Sequence, residues 1–165
     1  MPGAKTTIGC TALDQDRAIL VGGIDGGGTL MNEVHLFDSK SETFTPLTGL
    51  NAATSWMSCA KVHQDSEPLV LCTGGYTAND VEAVETYQFN FASEQLERRP
   101  AWDLPAGVRG DLIEAKNRMF IAINSGGHEF VKGPADGVTH WVPVAELSNK
   151  GRFVAVQVDY FEAGA

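Results

Sequence analysis

Apolar residues arrive along this chain in runs of four to six, enriched in Val, Ile, Phe and Thr and separated by turn residues. No sustained 3.6-residue period appears, so the pattern predicts short strands rather than helices. In the first 50 residues it predicts strands over Thr6–Leu13, Ala18–Val21, Glu33–Asp38 and Thr43–Thr48, with Asp14-Gln15-Asp16-Arg17 as the first turn. A second group follows at Ser55–Val62, Leu69–Thr73, Ala83–Phe89 and Gln95–Arg99. A third runs through Val108–Ala115, Arg118–Asn124, a loop from Ser125 to Gly137, then Val138–Glu146 and, after the turn Ser148-Asn149-Lys150-Gly151, Arg152–Tyr160. The fold class expected from this is all-β.

The three groups share a period. Gly-Gly pairs preceded by apolar strands stand at Gly22-Gly23, Gly74-Gly75 and Gly126-Gly127, a spacing of 52 residues each time. At the same spacing Glu33 matches Glu85, Phe37 matches Phe89, Asp38 matches Asn90 and Phe44 matches Leu96. A fixed period of this length is the mark of a repeat architecture in which each unit packs against its neighbours.

With an apolar strand ending in Gly-Gly, a loop, a strand ending in an aromatic and Asp or Asn, and a bulky residue some six positions later, the chain resembles the Kelch family of β-propellers. Ala18-Ile19-Leu20-Val21-Gly22-Gly23, Glu33 to Asp38 and Phe44 carry the resemblance in the first unit, and Leu69 to Gly75, Glu85 to Asn90 and Leu96 carry it in the second. The third unit contributes its leading strand, its Gly-Gly and Arg109. The resemblance implies one domain over 1–165 made of three four-stranded blades, at about 5–50, 51–102 and 103–162. Propellers typically close with about four to eight blades, so three would leave two apolar sheet faces open. A homodimer joined head to tail into a six-bladed ring is the favoured completion, and a different propeller fragment is the alternative.

Composition narrows the function classes. Lys and Arg total 12 against 21 Asp and Glu, for a net charge of −9 over 165 residues, which disfavours nucleic acid and anionic membranes as partners. No apolar run approaches the ~20 residues of a membrane helix, and the start Met1-Pro2-Gly3-Ala4-Lys5 leads into no signal-peptide core. The cytoplasm is the default expectation. Cys10, Cys59 and Cys72 are an odd number in apolar settings, which suits buried reduced thiols. Cysteine and histidine spacings match no metal site, and no cofactor is implied.

The stretch Gly22-Gly23-Ile24-Asp25-Gly26-Gly27-Gly28-Thr29 raises a nucleotide as a remote alternative. It lacks the Lys-Ser or Lys-Thr of a Walker A loop, and the following Val34-His35-Leu36-Phe37 is strand-like where a dinucleotide fold needs a helix. Locally it resembles the first phosphate motif of the sugar-kinase and actin superfamily, whose two lobes this length hardly accommodates. The period divides it into a structural Gly-Gly and a variable loop.

The Kelch resemblance implies that loops after second strands gather on one face of the ring. It nominates Asp25, Asn32, Tyr76, Asn79, Asp80, His128, Glu129 and Lys132, with Trp56 and Trp102 from the linkers between units. First strands line the channel, which nominates Arg109, Asp111 and Glu114. Two functions follow as expectations. One is a module that binds a protein partner or a small ligand with its loop-rich face. The other is an isomerase, lyase or cyclase using Asp111 and Glu114 for acid/base work with Arg109 as a clamp. The structural alternatives are an Arg109–Asp111 pair between blades, an exposed loop pair at His128 and Glu129, and inter-blade packing for the two tryptophans.

Overall fold

Alternating strands and turn residues fold into antiparallel meanders, because each turn returns the chain beside the strand it has just left. The computed structural model describes Gly3 and residues 5–64, 67–104, 110–115, 118–123, 126–132 and 139–144. Its strands are β1 (Lys5–Thr6), β2 (Gly9–Ala12), β3 (Arg17–Val21), β4 (Ile24–Asp25), β5 (Val34–Asp38), β6 (Thr43–Leu47), β7 (Ser58–Gln64), β8 (Glu67–Thr73), β9 (Thr86–Asn90), β10 (Gln95–Arg98), β11 (Asp111–Ala115), β12 (Arg118–Ile123), β13 (Gly126–Lys132) and β14 (Thr139–Val144). They form three four-stranded antiparallel sheets, β2-β3-β5-β6 (sheet I), β7-β8-β9-β10 (sheet II) and β11-β12-β13-β14 (sheet III). A two-stranded ribbon, β1 with β4, ties the start of the chain to the glycine-rich loop.

Sheet II lies between the other two. Its first strand β7 contacts β2 on one side and β11 on the other, and the Leu112 amide donates to Ser58 Oγ at 2.8 Å. Strand β8 supplies both cores because successive side chains leave a strand on opposite faces. Val70 and Cys72 pack with Tyr87, Phe89 and Leu96 against Leu13, Ile19, Val21 and Val34 of sheet I. Leu69 and Leu71 pack with Ala60 and Val62 against Leu104, Leu112, Ile121 and Trp141 on the sheet III side. Val70 and Leu71, adjacent in sequence, are both 0% exposed, each worth about 1.5–3 kcal/mol of burial.

The 52-residue spacing extends to these buried positions. Ala18, Leu20, His35, Phe37 and Phe44 stand where Val70, Cys72, Tyr87, Phe89 and Leu96 stand one repeat later. The five later residues are buried under sheet I, whereas the earlier five are only half-buried, on the face of sheet I turned away from sheet II. There Phe37 and Phe44 pair across β5 and β6 with ring centroids 4.8 Å apart. The face is largely apolar and, among the described residues, neither of the other two four-stranded sheets packs on it.

Two expectations are corrected. The segment from Ser125 to Gly137, expected as a loop, contains strand β13; the expected third strand over Val138–Glu146 is the fourth, β14, and Arg152–Tyr160 lies outside the described residues. Ile123 pairs directly with Gly126, so Gly126-Gly127 opens a third strand instead of closing a second one. The β-prone pair Phe130-Val131 is the strand signal that the Gly-Gly period overrode. The cysteines are the other correction. Cys59 and Cys72 sit directly opposite each other on β7 and β8 and are joined in a disulfide, while Cys10 is free and exposed. Register alone brings the pair together across 13 positions of sequence. No helix among the described residues is long and apolar enough to cross a membrane.

His35, on the open face, is held below its usual pKa by burial and by the nearby Lys5 ammonium; Glu33, whose carboxylate is ion-paired to Lys5 and lies 3.9 Å from His35 Nε2, opposes the shift. The folded state therefore favours the neutral ring. Its stabilising share is present above the unfolded pKa of about 6.5 and is lost as pH falls from that value through the lower folded pKa. Thermal melts between pH 7.5 and 5.5 are expected to show falling stability, and His35→Gln to flatten that decline; an unchanged slope in the variant would exclude His35 as its source.

Candidate functional site

Neighbouring chain segments cross Gly22, Gly23 and Gly75 so closely that no side chain fits between. A Cβ on Gly22 would lie 2.2 Å from the Thr54 carbonyl oxygen, in the linker leaving sheet I. On Gly23 it would lie 2.5 Å from Ile8 Cγ2 and 2.8 Å from the Thr6 carbonyl, in the segment entering sheet I. Gly75 repeats the second relation, with the Ser55 carbonyl at 2.3 Å, and Gly74 meets Leu104 of the outgoing linker at 3.6 Å. All four have positive φ, which glycine alone adopts freely. Backbone bonds fix the crossing: the Gly23 amide donates to Thr54 O, and Ser55 and Tyr76 exchange two hydrogen bonds of 2.9 and 2.8 Å.

The loops after β3 and β8 are thereby pinned beside the linker, and they share one backbone design. Asp25 N–H donates to Thr29 O at 3.0 Å, and one repeat later Thr77 N–H donates to Val81 O at 2.8 Å. Between these loops and the linker lies an open cavity of about 640 Å³ lined by Ile24, Leu30, Ser55, Trp56, Tyr76, Thr77, Asn79 and Asp80. Four of the nominated residues, Trp56, Tyr76, Asn79 and Asp80, are thus brought together. Ile24, Leu30, Ser55 and Thr77 were not nominated. The equivalence of Asp25 with Thr77 and of Thr29 with Val81 at 52 residues was the signal that pairs the two loops as walls of one site.

The lining is held in uncommon backbone conformations. Trp56 has φ 58°, as does Thr7 at 54°, each two residues ahead of the first strand of its sheet, and the Trp56 amide donates to Thr7 O at 2.9 Å. Asn79 and Asp80 have φ 62° and 56°. Asp80 occupies the position at which the first repeat has Gly28, φ 85°. A left-handed non-glycine residue costs about 1–2 kcal/mol, and such residues concentrate at functional sites.

Other nominated residues go elsewhere. Asp25 does not line the cavity: its Oδ1 accepts the Thr29 and Gly27 amides at 2.8 and 2.9 Å, which hold its carboxyl below the ordinary range. Trp102 packs against the core between sheets II and III, with Arg99 5.7 Å over its ring and its carbonyl accepting Trp141 Nε1–H at 2.8 Å. Asn32 donates to the Leu50 carbonyl at 3.3 Å. Asp111 is exposed and Glu114 half-buried, on opposite faces of β11. His128, Glu129 and Lys132 lie within β13, not a loop; Arg109 is outside the described residues. Among the described residues no three His, Cys, Asp or Glu gather as a metal site.

A second polar group lies along β9 and β10. Tyr87 donates to Glu85, accepts the Asn51 amide at 3.1 Å and has Arg98 5.7 Å over its ring; Arg98 is ion-paired with Asp103. Burial, then the bond to Glu85, pushes the phenol up to about 12. Every group here is answered within the fold. No protein-family model matches the chain, and no curated protein is significantly similar to it.

Gly75→Ala is expected to destabilise the fold by about 3 kcal/mol or more in urea unfolding, since the Ser55 backbone blocks the Cβ and φ is 91°. Gly26→Ala, with open space around its Cβ, is expected to stay within about 0.5 kcal/mol of the parent. Equal effects would remove the close linker passage as the reason for the Gly-Gly pairs.

Proposed function

We propose that this chain is a Kelch-like propeller segment that binds a partner with its loop-bearing end. The observation that carries the proposal is the cavity itself, formed where equivalent loops of two consecutive repeats meet the linker between them. Rigid sheets presenting loops at one end suit recognition. Lateral packing of β2, β7 and β11, the first strands of the three sheets, supports the propeller class. The enzyme alternative draws on Asp111 and Glu114, which point to opposite faces of their strand and do not line the cavity. A phosphate ligand would need loop amides that Gly27 and Thr29 already donate to Asp25.

A second copy of the chain completes the ring. Supporting this is the open face of sheet I, whose five apolar or aromatic-matched positions are those that sheet II buries beneath its neighbour. The sheet III end of another copy is the occupant of the same kind, and two such junctions close a six-bladed dimer. Light scattering at micromolar concentration is expected to give twice the 17.7 kDa of one chain, and Phe37→Asp to shift the mass toward one chain. A folded wild-type monomer at that concentration would overturn the dimer.

The binding end is tested by selecting a random peptide library against the full chain. Selected peptides are expected to lose at least tenfold in affinity to Trp56→Ala and to keep it in Lys40→Ala, since Lys40 lies in the β5–β6 turn at the opposite end of sheet I. Binding indifferent to Trp56 would reject the loop-bearing end as the recognition surface.

A further inference from the structure

Resting on that reading of the loop-bearing end, we infer that the Trp56–Asp80 cavity receives the guanidinium of an arginine side chain presented by a protein partner. The chain itself shows what it does with arginine. Arg98 lies 5.7 Å over the Tyr87 ring and is ion-paired with Asp103 and Glu85. Arg99 lies 5.7 Å over the Trp102 ring and is ion-paired with Glu97. In both places a planar cation stacks on an aromatic face while a carboxylate meets its N–H groups.

The cavity holds the other two parts of that arrangement without the cation. Trp56 is 63% exposed, and Asp80 has no ion-pair partner among the described residues. No Lys, Arg or His is among the lining residues. Nor does Lys5, on the β1 strand that pairs with β4 at the cavity wall, compete for Asp80, since it is paired with Glu33. Both lining residues are also presented by left-handed backbone, Asp80 at a position where the first repeat has glycine.

Charge selects the occupant. The chain carries −9 overall, so a basic segment is drawn to it and an acidic one repelled. Arginine fits better than lysine because its flat, weakly hydrated guanidinium stacks on an indole and offers five donors to the Asp80 carboxylate, the Asn79 amide oxygen and the Ser55 and Thr77 hydroxyls. A volume of about 640 Å³ lies within the general range of ligand pockets, about 300–1,000 Å³, and leaves room for an arginine side chain together with its flanking peptide.

Calorimetric titration of the full chain with acetyl-Gly-Arg-Gly-amide, and with its citrulline and lysine counterparts, tests this. The arginine peptide is expected to bind with a Kd on the order of millimolar or tighter, at least about tenfold more tightly than the citrulline peptide, and more weakly as salt rises. Trp56→Leu and Asp80→Asn are each expected to weaken it about fivefold or more, with unchanged circular dichroism. Equal affinity for arginine and citrulline, or no heat with the arginine peptide at millimolar concentration, would overturn the inference. Library peptides that need Trp56 but carry no arginine would also overturn it while leaving the loop-bearing end as a binding surface. A library with no Trp56-dependent binder would remove both.

Discussion

The close passage of each linker over a Gly-Gly pair is the constraint on which the rest of this structure depends. The first glycine of a pair lies against the linker leaving its sheet and the second against the segment entering it, with carbonyl oxygens of Thr54 and Ser55 where side chains would otherwise stand. Sheet ends, loops and linkers are therefore locked together by backbone hydrogen bonds rather than by side-chain choice. This is why the pair can stay constant while the loop after it changes from Asp25-Gly26-Gly27-Gly28-Thr29 to Thr77-Ala78-Asn79-Asp80-Val81. A phosphate-like glycine run turns out to be two devices, a crossing point and a loop whose amides Asp25 has already claimed.

From that locking follows the energetics. Holding the sheets at fixed separation lets β8 serve two cores at once, Val70 and Cys72 on one side, Leu69 and Leu71 on the other. Apolar burial on both faces is the main favourable contribution. It also accounts for the contrast between Phe89, 1% exposed, and Phe37, its counterpart one repeat earlier, which is only half-buried on the open face of sheet I. The same residue type in the same strand position differs only in whether another sheet lies over it.

The site at the loop-bearing end draws on the opposite resource, groups the core does not consume. Tyr87, Glu85, Arg98 and Asp103 answer one another inside the protein, and Trp102 is held by packing and by Arg99. Trp56 and Asp80 remain at the surface on left-handed backbone, so the cavity they line has an aromatic face and a negative charge to offer a ligand.

Much of this was legible in the chain. Strand positions in the first two repeats follow from apolar runs and turn residues, and Trp56, Tyr76, Asn79 and Asp80 are candidates through the Kelch resemblance, which implies that second-strand loops and linkers gather on one face. The third repeat misled because Gly126-Gly127 keeps the period while opening a strand, and a period in sequence cannot say on which side of a turn a glycine sits. Cys59 and Cys72 were missed because pairing across strands is a matter of register. What the sequence by itself determined was local: an all-β chain of repeated strands and turns, set by side-chain alternation and glycine's backbone freedom. Tertiary structure alone decided which faces are covered, which cysteines meet and which loop residues share a cavity, because these depend on strand register and on contacts between segments up to about 50 residues apart that no local preference encodes.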